Sequence, residues 1–307
     1  MKLSIIIPSY KETRHQLLET LFSIDVQKRV DFNKIEVVVV NDCGDPLCPN
    51  NTITDFSCLQ NIMVKYLHNT KNGGPLSARE YGFKHSCGEY VQFIDAEDSL
   101  INSFYLASVL EFIEQKQPDI ILSPNIWEYL LNGQLQLKTQ EAKFLNFHGK
   151  VIRRQVIEDH IVWLDEKILY AEDEYFMRQL FDHIYPHQTI VIQSPQYYYK
   201  YNPNSLTNNG ETDSFGFYSI IYPTYLHMMG KYIETKNQTE RQRKATFFFL
   251  RIVLDIEGGV FRFHPENDIQ NAQAIKSFIT KWKQYFLLDE EFITNILNNE
   301  LLDYKTI

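Results

Sequence analysis

LSIIIPSY (residues 3–10) and KIEVVVVNDCGD (residues 34–45) are the two stretches that decide the fold. Both contain continuous runs of β-branched residues, whereas a strand with one face in water alternates apolar and polar residues. Both are therefore predicted to be strands buried on two faces. Residues 14–27 lie between them and carry apolar side chains at helical spacing. This order of strand, helix and strand is typical of an α/β fold with a mostly parallel central sheet flanked by helices, as in Rossmann-like domains.

The pattern continues through two thirds of the chain and then changes. Residues 130–150 read as an irregular or hairpin excursion, and residues 214–307 show helical periodicity almost throughout. We therefore predict an α/β domain at 1–210 and a helical C-terminal region at 211–307. Within the first domain, further strands are predicted at 64–69, 89–95, 119–124 and 189–202, and further helices at 75–86, 102–117 and within 151–185.

Composition excludes some classes of protein. The 307 residues include 44% hydrophobic residues, which is too many for a disordered chain, and the net charge of −9 argues against nucleic acid as a partner. The four cysteines match no zinc or redox spacing, so they are expected to be reduced thiols. No apolar run reaches the ~20 residues of a membrane span. We expect a cytoplasmic protein with at most peripheral contact with the inner face of the membrane.

Polar residues follow four of the predicted strands at the point where each strand ends. They occupy 9–12, 41–42, 71–74 and 95–98. In open α/β sheets, ligands bind outside the carboxyl ends of the strands, because loops and helix N-termini converge there. The sequence therefore predicts a site assembled from four separate loops on one rim.

Three acids stand at the end of the apolar stretch YVQFIDAEDSL, residues 90–100. Asp95 and Glu97 can present two carboxylates to one cation, and hard oxygen ligands suit Mg²⁺ or Mn²⁺. The alternative is structural, with Asp98 and Ser99 capping a helix and the other acids solvated. The spacing by itself leaves both interpretations open.

Three weaker signals also have a structural alternative. Asp42 could accept a hydrogen bond from a base or ribose, and the structural alternative is an Asx turn. The glycine pair 73–74 allows close backbone approach to a ligand, and Arg79 in the following helix suits a phosphate or one of the rim acids. Glu172 and Asp173 begin a predicted helix, where a carboxylate serves as a general base or as a cap.

Taken together and in order, seven motifs resemble those of the family 2 glycosyltransferases, inverting enzymes of the GT-A fold, and in particular their bacterial surface-polysaccharide branch. The similarity covers roughly residues 1–207. The motifs are SIIIPSYKE (4–12), VVVVNDCGD (37–45), NGGPLSAR (72–79), GEYVQFIDAED (88–98), FHGKVIRR (147–154), AEDEYF (171–176) and YYYKYNPNSLT (197–207).

The resemblance implies a role for each matching position. Asp173 would be the general base, and Asp95 and Glu97 would hold Mn²⁺ or Mg²⁺, with Glu97 standing where the family usually has Asp. Four further residues would lie on the acceptor side: Asp98, His148, Lys150 and Glu172. The nucleotide part of the donor would contact Pro8, Tyr10, Glu12, Asp42, Asn72, Gly74, Arg79, Asp95 and Ala96.

The resemblance also implies an activity, namely transfer of a sugar from a UDP-sugar to a saccharide or lipid-linked acceptor in cell-surface polysaccharide synthesis. Two alternatives stay open at this point. One is a catalytically weak nucleotide-sugar-binding module on the same scaffold, and the other is a nucleotidyltransferase. The helical region carries no motif with a chemical role. It could pack on the catalytic domain, form a homodimer contact or contact a membrane.

Overall fold

A computed structural model of the chain describes residues 1–43, 55–142, 145–184, 186–203, 205, 214–257 and 265–297. It divides into two compact units, Met1–Asn202 and Pro203–Ile307. The sequence-based boundary at 210/211 falls within 206–213, a segment outside the described residues, as are Gly44 and Asp45 of the second strand motif.

The first unit alternates strands and helices. Its strands are β1 (Leu3–Ser9), β2 (Ile35–Asn41), β3 (Val64–His68), β4 (Tyr90–Phe93), β5 (Ser99–Leu100), β6 (Ile120–Leu122), β7 (Asn125–Leu131), β8 (Gln134–Gln140), β9 (Lys150–Arg153), β10 (Thr189–Val191) and β11 (Tyr197–Tyr199). Its helices are α1 (Arg14–Asp25), α2 (Pro75–Lys84), α3 (Tyr105–Lys116), α4 (Arg154–His160) and α5 (Glu172–Phe181), with 3-10 turns at Phe32–Lys34 and Pro186–Gln188.

Seven strands form the central sheet in the order β10-β6-β9-β4-β1-β2-β3. β1 pairs in parallel with β2 and β4, and β2 pairs in parallel with β3. The β-branched runs of β1 and β2 are buried on both faces, as their lack of alternation predicts. The predicted α/β fold with a mostly parallel sheet is confirmed.

Two parts of the topology differ from the sequence-based expectation. β9 spans the end of the excursion predicted at 130–150 and the start of the helical segment predicted within 151–185, and it runs antiparallel between β4 and β6. The single strand predicted at 189–202 is two strands: β10 at the edge of the central sheet, and β11 in a second sheet of order β5-β11-β7-β8. β9 has only four residues, which is too few to show a hydrophobic period. β10 and β11 are separate strands because the turn between them takes the chain from the central sheet to the second sheet.

The second unit is helical in its described part. Its helices are α6 (Ser214–Glu234), α7 (Gln238–Glu257), α8 (Pro265–Trp282) and α9 (Glu290–Leu297), with a 3-10 turn at Lys283–Tyr285. α6 packs against both α7 and α8. The core of this unit contains fully buried residues from three helices, among them Met229 and Ile233 of α6, Phe249 of α7, and Ile275 and Ile279 of α8.

Two further findings bear on the sequence-based expectations. Cys43 is disulfide-bonded, so the expectation that every cysteine is a reduced thiol is wrong at this position. Cys58 and Cys87 are free and exposed. Among the described helices, none combines the length and the apolar character that crossing a bilayer requires.

Candidate active site

The carboxyl ends of the central strands bring the predicted loops to one rim. Asp42 donates its backbone N–H to the carbonyl of Ser9 at 2.8 Å, and Asn69 donates to the carbonyl of Asn41, also at 2.8 Å. On the other side of β1, Ile94 donates to the carbonyl of Ile6 at 3.1 Å. These bonds continue the parallel ladder beyond the strand ends. They therefore fix the spacing of the loops that follow β1, β2, β3 and β4.

Pro8, Tyr10 and Glu12 line the exit from β1. Pro8 is the sixth residue of the strand and half-buried, and Tyr10 is exposed. The Glu12 carboxylate accepts hydrogen bonds from the Ser9 hydroxyl, at 2.7 Å, and from the backbone N–H of Tyr10. Glu12 therefore holds the turn between β1 and α1 in place and leaves the Tyr10 ring accessible.

Asp42 braces the glycine loop. Its carboxylate accepts hydrogen bonds from the Asn69 amide at 2.8 Å and from the backbone N–H groups of Gly73 at 3.1 Å and Gly74 at 2.8 Å. Burial raises the pKa of Asp42, and these bonds oppose the rise because they stabilise the anion. The Asp42 carboxylate therefore already organises the glycine loop before any ligand binds.

Gly74 begins α2 in a conformation that favours glycine. Its φ is 83°, and a Cβ added there would lie 2.5 Å from the backbone carbonyl oxygen of Ile168. The neighbouring Asn72 has a buried Oδ1 that has no hydrogen-bond partner within the described part of the chain. Because buried acceptors are normally paired, this oxygen marks the loop as a place where a ligand donor fits.

Arg79 links two of the predicted acids. Its Nη2 donates to Asp95 at 2.7 Å and its Nη1 to Glu172 at 2.9 Å, while the guanidinium stacks on the Phe147 ring at 4.4 Å. The side chain is buried, which lowers its pKa, but the two carboxylates more than compensate and raise it overall. Arg79 thus joins the loop after β4 to the start of α5.

Asp95, Asp98 and His148 form a group that could hold a metal ion. One ligand atom from each lies within 4.8 Å of the others. Burial raises the pKa of Asp95, but Arg79 and His148 outweigh it and bring the pKa below its ordinary value. Burial and the charge of Asp95 raise the pKa of Asp98 well above its ordinary value. Carboxylate oxygens with one imidazole nitrogen suit Mn²⁺, and a cation would relieve the repulsion between the two acids.

Tyr197 is a site residue that sequence reasoning missed. Its hydroxyl donates to Asp98 at 2.5 Å and accepts from the backbone N–H of Asp95 at 3.2 Å, and its ring stacks on His148 at 5.1 Å. Lys200 also donates its backbone N–H to Asp98, at 3.0 Å. The run of tyrosines just before Lys200 was the available signal, but only the antiparallel pairing of β11 with β5 brings it to the acids.

Within the described part of the chain, Glu97 is not a member of the candidate metal-binding group formed by Asp95, Asp98 and His148, although it lies next to it. Its carboxylate accepts a hydrogen bond from the Asn202 amide at 2.5 Å. Burial, followed by the charge of Glu12, raises the pKa of Glu97. Ala96, between the two predicted ligands, is buried. The structure thus groups Asp95 with Asp98 and His148, whereas the sequence pattern paired Asp95 with Glu97.

Glu172 and Asp173 occupy the first turn of α5, which follows Ala171 in the left-handed conformation at φ 61°. Glu172 is held by Arg79, and Asp173 accepts a hydrogen bond from the backbone N–H of Glu174 at 2.7 Å. Burial, followed by the charge of Glu172, raises the pKa of Asp173 to about 7. A carboxyl group with this pKa can accept a proton near neutral pH.

Lys150 is buried at the start of β9. Its ammonium donates to the Asn146 amide oxygen at 2.8 Å and to the carbonyl of His148 at 3.2 Å. Burial lowers its pKa to about 7, and the charge of Asp173 opposes that shift. Lys150 therefore fixes the turn that carries His148 and contributes positive potential at Asp173.

The sequence is similar to a known protein family and to individual proteins of bacteria. A family model described as Glycosyl transferase family 2 matches residues 4–162. The poly(ribitol-phosphate) beta-N-acetylglucosaminyltransferase TarS of Staphylococcus aureus is 27% identical over 214 residues, covering 65% of this chain and 35% of TarS. The uncharacterized glycosyltransferase EpsJ of Bacillus subtilis is 27% identical over 224 residues, covering 66% of this chain and 62% of EpsJ. The chain therefore spans about a third of TarS and three fifths of EpsJ.

Solved structures agree on the fold. The crystal structure of S. aureus TarS 1-349 in complex with UDP-GlcNAc superposes with a TM-score of 0.65 at 21% identity, covering 92% of this chain and 82% of that one. The complex of the same protein with UDP gives a TM-score of 0.56 at 20% identity and covers 92% of both chains. Both are GT-A structures, so the GT-A fold that the resemblance implied is confirmed.

Proposed function

The chain belongs to glycosyl transferase family 2, and we propose that it transfers a sugar from a UDP-sugar to a hydroxyl group of a saccharide or lipid-linked acceptor in cell-surface polymer synthesis. The relatives support both the donor and the setting. TarS is a beta-N-acetylglucosaminyltransferase acting on poly(ribitol-phosphate), and its structure has been solved with UDP-GlcNAc. UDP-GlcNAc is therefore the donor to be tested first.

The observation that carries this proposal is the bridge through Arg79. One buried guanidinium holds Asp95, a member of the candidate metal-binding group, and Glu172, which adjoins Asp173. A transferase that inverts the anomeric centre needs its leaving-group side and its base side held at a fixed separation. A bidentate arginine is suited to that task, because its donors are arranged in a rigid fork.

The leaving-group side is assigned to the rim loops. Asn72 and the glycine loop would bind the nucleoside diphosphate, and Asp95, Asp98 and His148 would hold Mn²⁺ or Mg²⁺. When bound, the metal supplies positive charge beside the diphosphate that departs. Asp42 holds the glycine loop in one conformation by accepting hydrogen bonds from the backbone N–H groups of Gly73 and Gly74.

Asp173 is assigned the proton transfer. The acceptor oxygen forms a bond to the anomeric carbon while the bond from that carbon to the UDP oxygen breaks, and the acceptor proton passes to the Asp173 carboxylate. Burial, followed by the charge of Glu172, raises the pKa of Asp173, which makes it a better proton acceptor. Glu172 is already paired with Arg79, so it serves to position and tune its neighbour.

The test is slow hydrolysis of UDP-GlcNAc in the presence of Mn²⁺, with water in place of the acceptor. We expect release of UDP, and a loss of at least about 100-fold in Asp173→Asn, because a general base contributes 10²–10⁴-fold. Glu174→Gln is the matched control, since Glu174 lies in the same turn and pairs with Arg178. It is expected to keep most of the activity.

Other outcomes separate the alternatives. Binding of UDP-GlcNAc by thermal shift, with no turnover under any metal, would support the weak binding module. Release of UMP or pyrophosphate in place of UDP would support a nucleotidyltransferase. Hydrolysis that is unaffected in Asp173→Asn would remove Asp173 from the role of base, and the absence of a thermal shift with every uridine nucleotide would remove the donor.

A further inference from the structure

The hairpin formed by β7 and β8 ends in an unusual apolar tip. Its strands are joined by Asn132 and Gly133, which have φ values of 51° and 75°, as a tight two-residue hairpin turn requires. Four leucines surround this turn, and each is between 47% and 62% exposed: Leu130, Leu131, Leu135 and Leu137. An exposed leucine is common, but four within eight residues form a patch of the kind that marks an interaction surface.

The leucines lie on both faces of the hairpin. Leu130 pairs directly with Leu135, so these two share a face, and Leu137 lies on the same face two residues further along. Leu131 pairs with Gln134 on the opposite face. A protein partner that packs on one face of a two-stranded ribbon leaves the other face in water. A lipid surface surrounds the tip and covers both faces.

The charge pattern agrees with a lipid surface. No residue from 129 to 137 is charged, although 22% of the chain is Asp, Glu, Lys or Arg. Lys138 is the first charged residue on the β8 side and is exposed, at the level where its ammonium would meet lipid phosphates. On the β7 side, Glu128 is drawn away from the tip, because its carboxylate accepts a hydrogen bond from the backbone of Tyr201 at 3.0 Å.

We infer that the tip of this hairpin, residues 129–137, inserts into the interfacial layer of a lipid bilayer and attaches the protein to a membrane surface. The free part of each strand is three or four residues long, which at ~3.3 Å per residue is about 10 Å. This length matches the depth of the interfacial layer and falls far short of the ~30 Å hydrocarbon core. The outer backbone edges of the tip then stay within reach of headgroups and water.

The hairpin is joined to the candidate site by the second sheet. β11 carries Tyr197, which pairs with Asn125 at the opposite end of β7 from the tip. Six residue steps separate Asn125 from Leu131, so about 20 Å of strand connects the acidic site to the proposed membrane contact. This inference goes beyond the proposed function and does not depend on it.

The test uses the full chain and sedimentation with vesicles of phosphatidylcholine, alone and with phosphatidylglycerol. We expect the wild-type protein to bind both, and binding to persist in 0.5 M NaCl because it is apolar. Leu131→Thr with Leu135→Thr removes one leucine from each face and keeps residues that suit strands. This variant should bind about tenfold more weakly or worse, with an unchanged melting temperature and unchanged hydrolysis of UDP-GlcNAc.

The matched control changes two exposed leucines of α7, Leu250→Gln with Leu254→Gln, and should bind vesicles as the wild type does. Three results would overturn the inference. The first is a wild-type protein that does not sediment with either vesicle. The second is a loss of binding in the α7 variant but not in the hairpin variant. The third is self-association of the wild type, measured by light scattering, that the hairpin variant abolishes while vesicle binding is unchanged.

Discussion

Arg79 is the residue on which the candidate site depends most. Sequence alone left it two roles, a contact with phosphate or a hold on one of the rim acids. The structure shows contact with Asp95 and, in addition, with Glu172, 93 residues further along the chain. A buried arginine is stable only with such partners, because an unpaired charge in a buried place is costly. The buried Arg79 therefore depends on both Asp95 and Glu172 to compensate its charge.

Replacing Arg79 by lysine tests this bridge. We expect Arg79→Lys to lower kcat/KM for UDP-GlcNAc hydrolysis about 100-fold, since one ammonium cannot bond both carboxylates in the same geometry and ~3 kcal/mol of paired charge is lost. The matched control is Arg154→Lys. Arg154 bonds the carbonyl of Gly88 at 2.6 Å and stacks on Phe83, away from the rim acids. The Arg154→Lys variant should have a changed melting temperature and a kcat/KM near the wild-type value. Equal losses of kcat/KM in both variants would contradict a special role for Arg79.

If Asp173 is the general base, as proposed, we expect it to set the pH dependence of the reaction. Burial raises its pKa to about 7, and a general base acts when deprotonated, so the logarithm of the rate is expected to rise with a slope of one at pH values below about 7 and to level off above it. The contribution of Asp173 to folding stability changes with pH in the opposite direction. The folded state binds an extra proton between the ordinary pKa of Asp and about 7, so this group lowers stability as pH rises through that window.

Burial lowers the pKa of Lys150 to about 7, so this neighbouring group is a second candidate for a titration in this range. The measurement is kcat/KM from pH 5 to 9 for the wild type and for Lys150→Met. The rising limb should persist in Lys150→Met, with its midpoint moved upward, because a positive charge near Asp173 is lost. Disappearance of the limb in this variant would assign the titration to Lys150 in place of Asp173.

Among the secondary-structure elements, the start of α2 is a tightly constrained point of the rim. Gly74→Ala is expected to weaken binding of UDP about tenfold or more and to lower the melting temperature. The new Cβ meets the Ile168 carbonyl at 2.5 Å, and φ is positive. Gly133→Ala is the control, because its φ of 75° is similar and no atom lies within 4 Å of the added Cβ. It should cost about 1 kcal/mol in stability and leave UDP binding unchanged; normal UDP binding in Gly74→Ala would argue against the loop as a nucleotide site.

Elements also show where periodicity succeeds and where it does not. β1 and α2 begin and end within two residues of the positions that the sequence indicates, because each carries a long apolar pattern or a glycine boundary. β2 begins within one residue of its predicted start but ends at Asn41, four residues before the end of the stretch predicted as a strand. β9 was missed, and with it the reason why Lys150 is buried. Four residues inserted antiparallel between two other strands leave no local signature, since the pairing partners lie about 30 and 60 residues earlier in the chain.

At the scale of the whole molecule, every predicted site residue lies in the unit Met1–Asn202. We expect UDP-GlcNAc with Mn²⁺ to protect backbone amides of the rim from hydrogen exchange, above all those at 72–74 and 95–98, because binding suppresses local opening. Amides of α8 should exchange at an unchanged rate. Protection that appears in α8 and not in the rim would place the donor elsewhere.

The sequence by itself determined the α/β class, the strands that carry the rim loops, and the acids at their ends. It could do so because burial and turn formation leave local patterns of apolar residues, glycines and acids. Only the tertiary structure decided which acids meet. Asp98, His148 and Tyr197 converge through the pairing of β5 with β11 and the turn before β9, and Glu97 faces Asn202 instead. Such contacts join segments about 50 to 100 residues apart, and they depend on packing that no local pattern encodes.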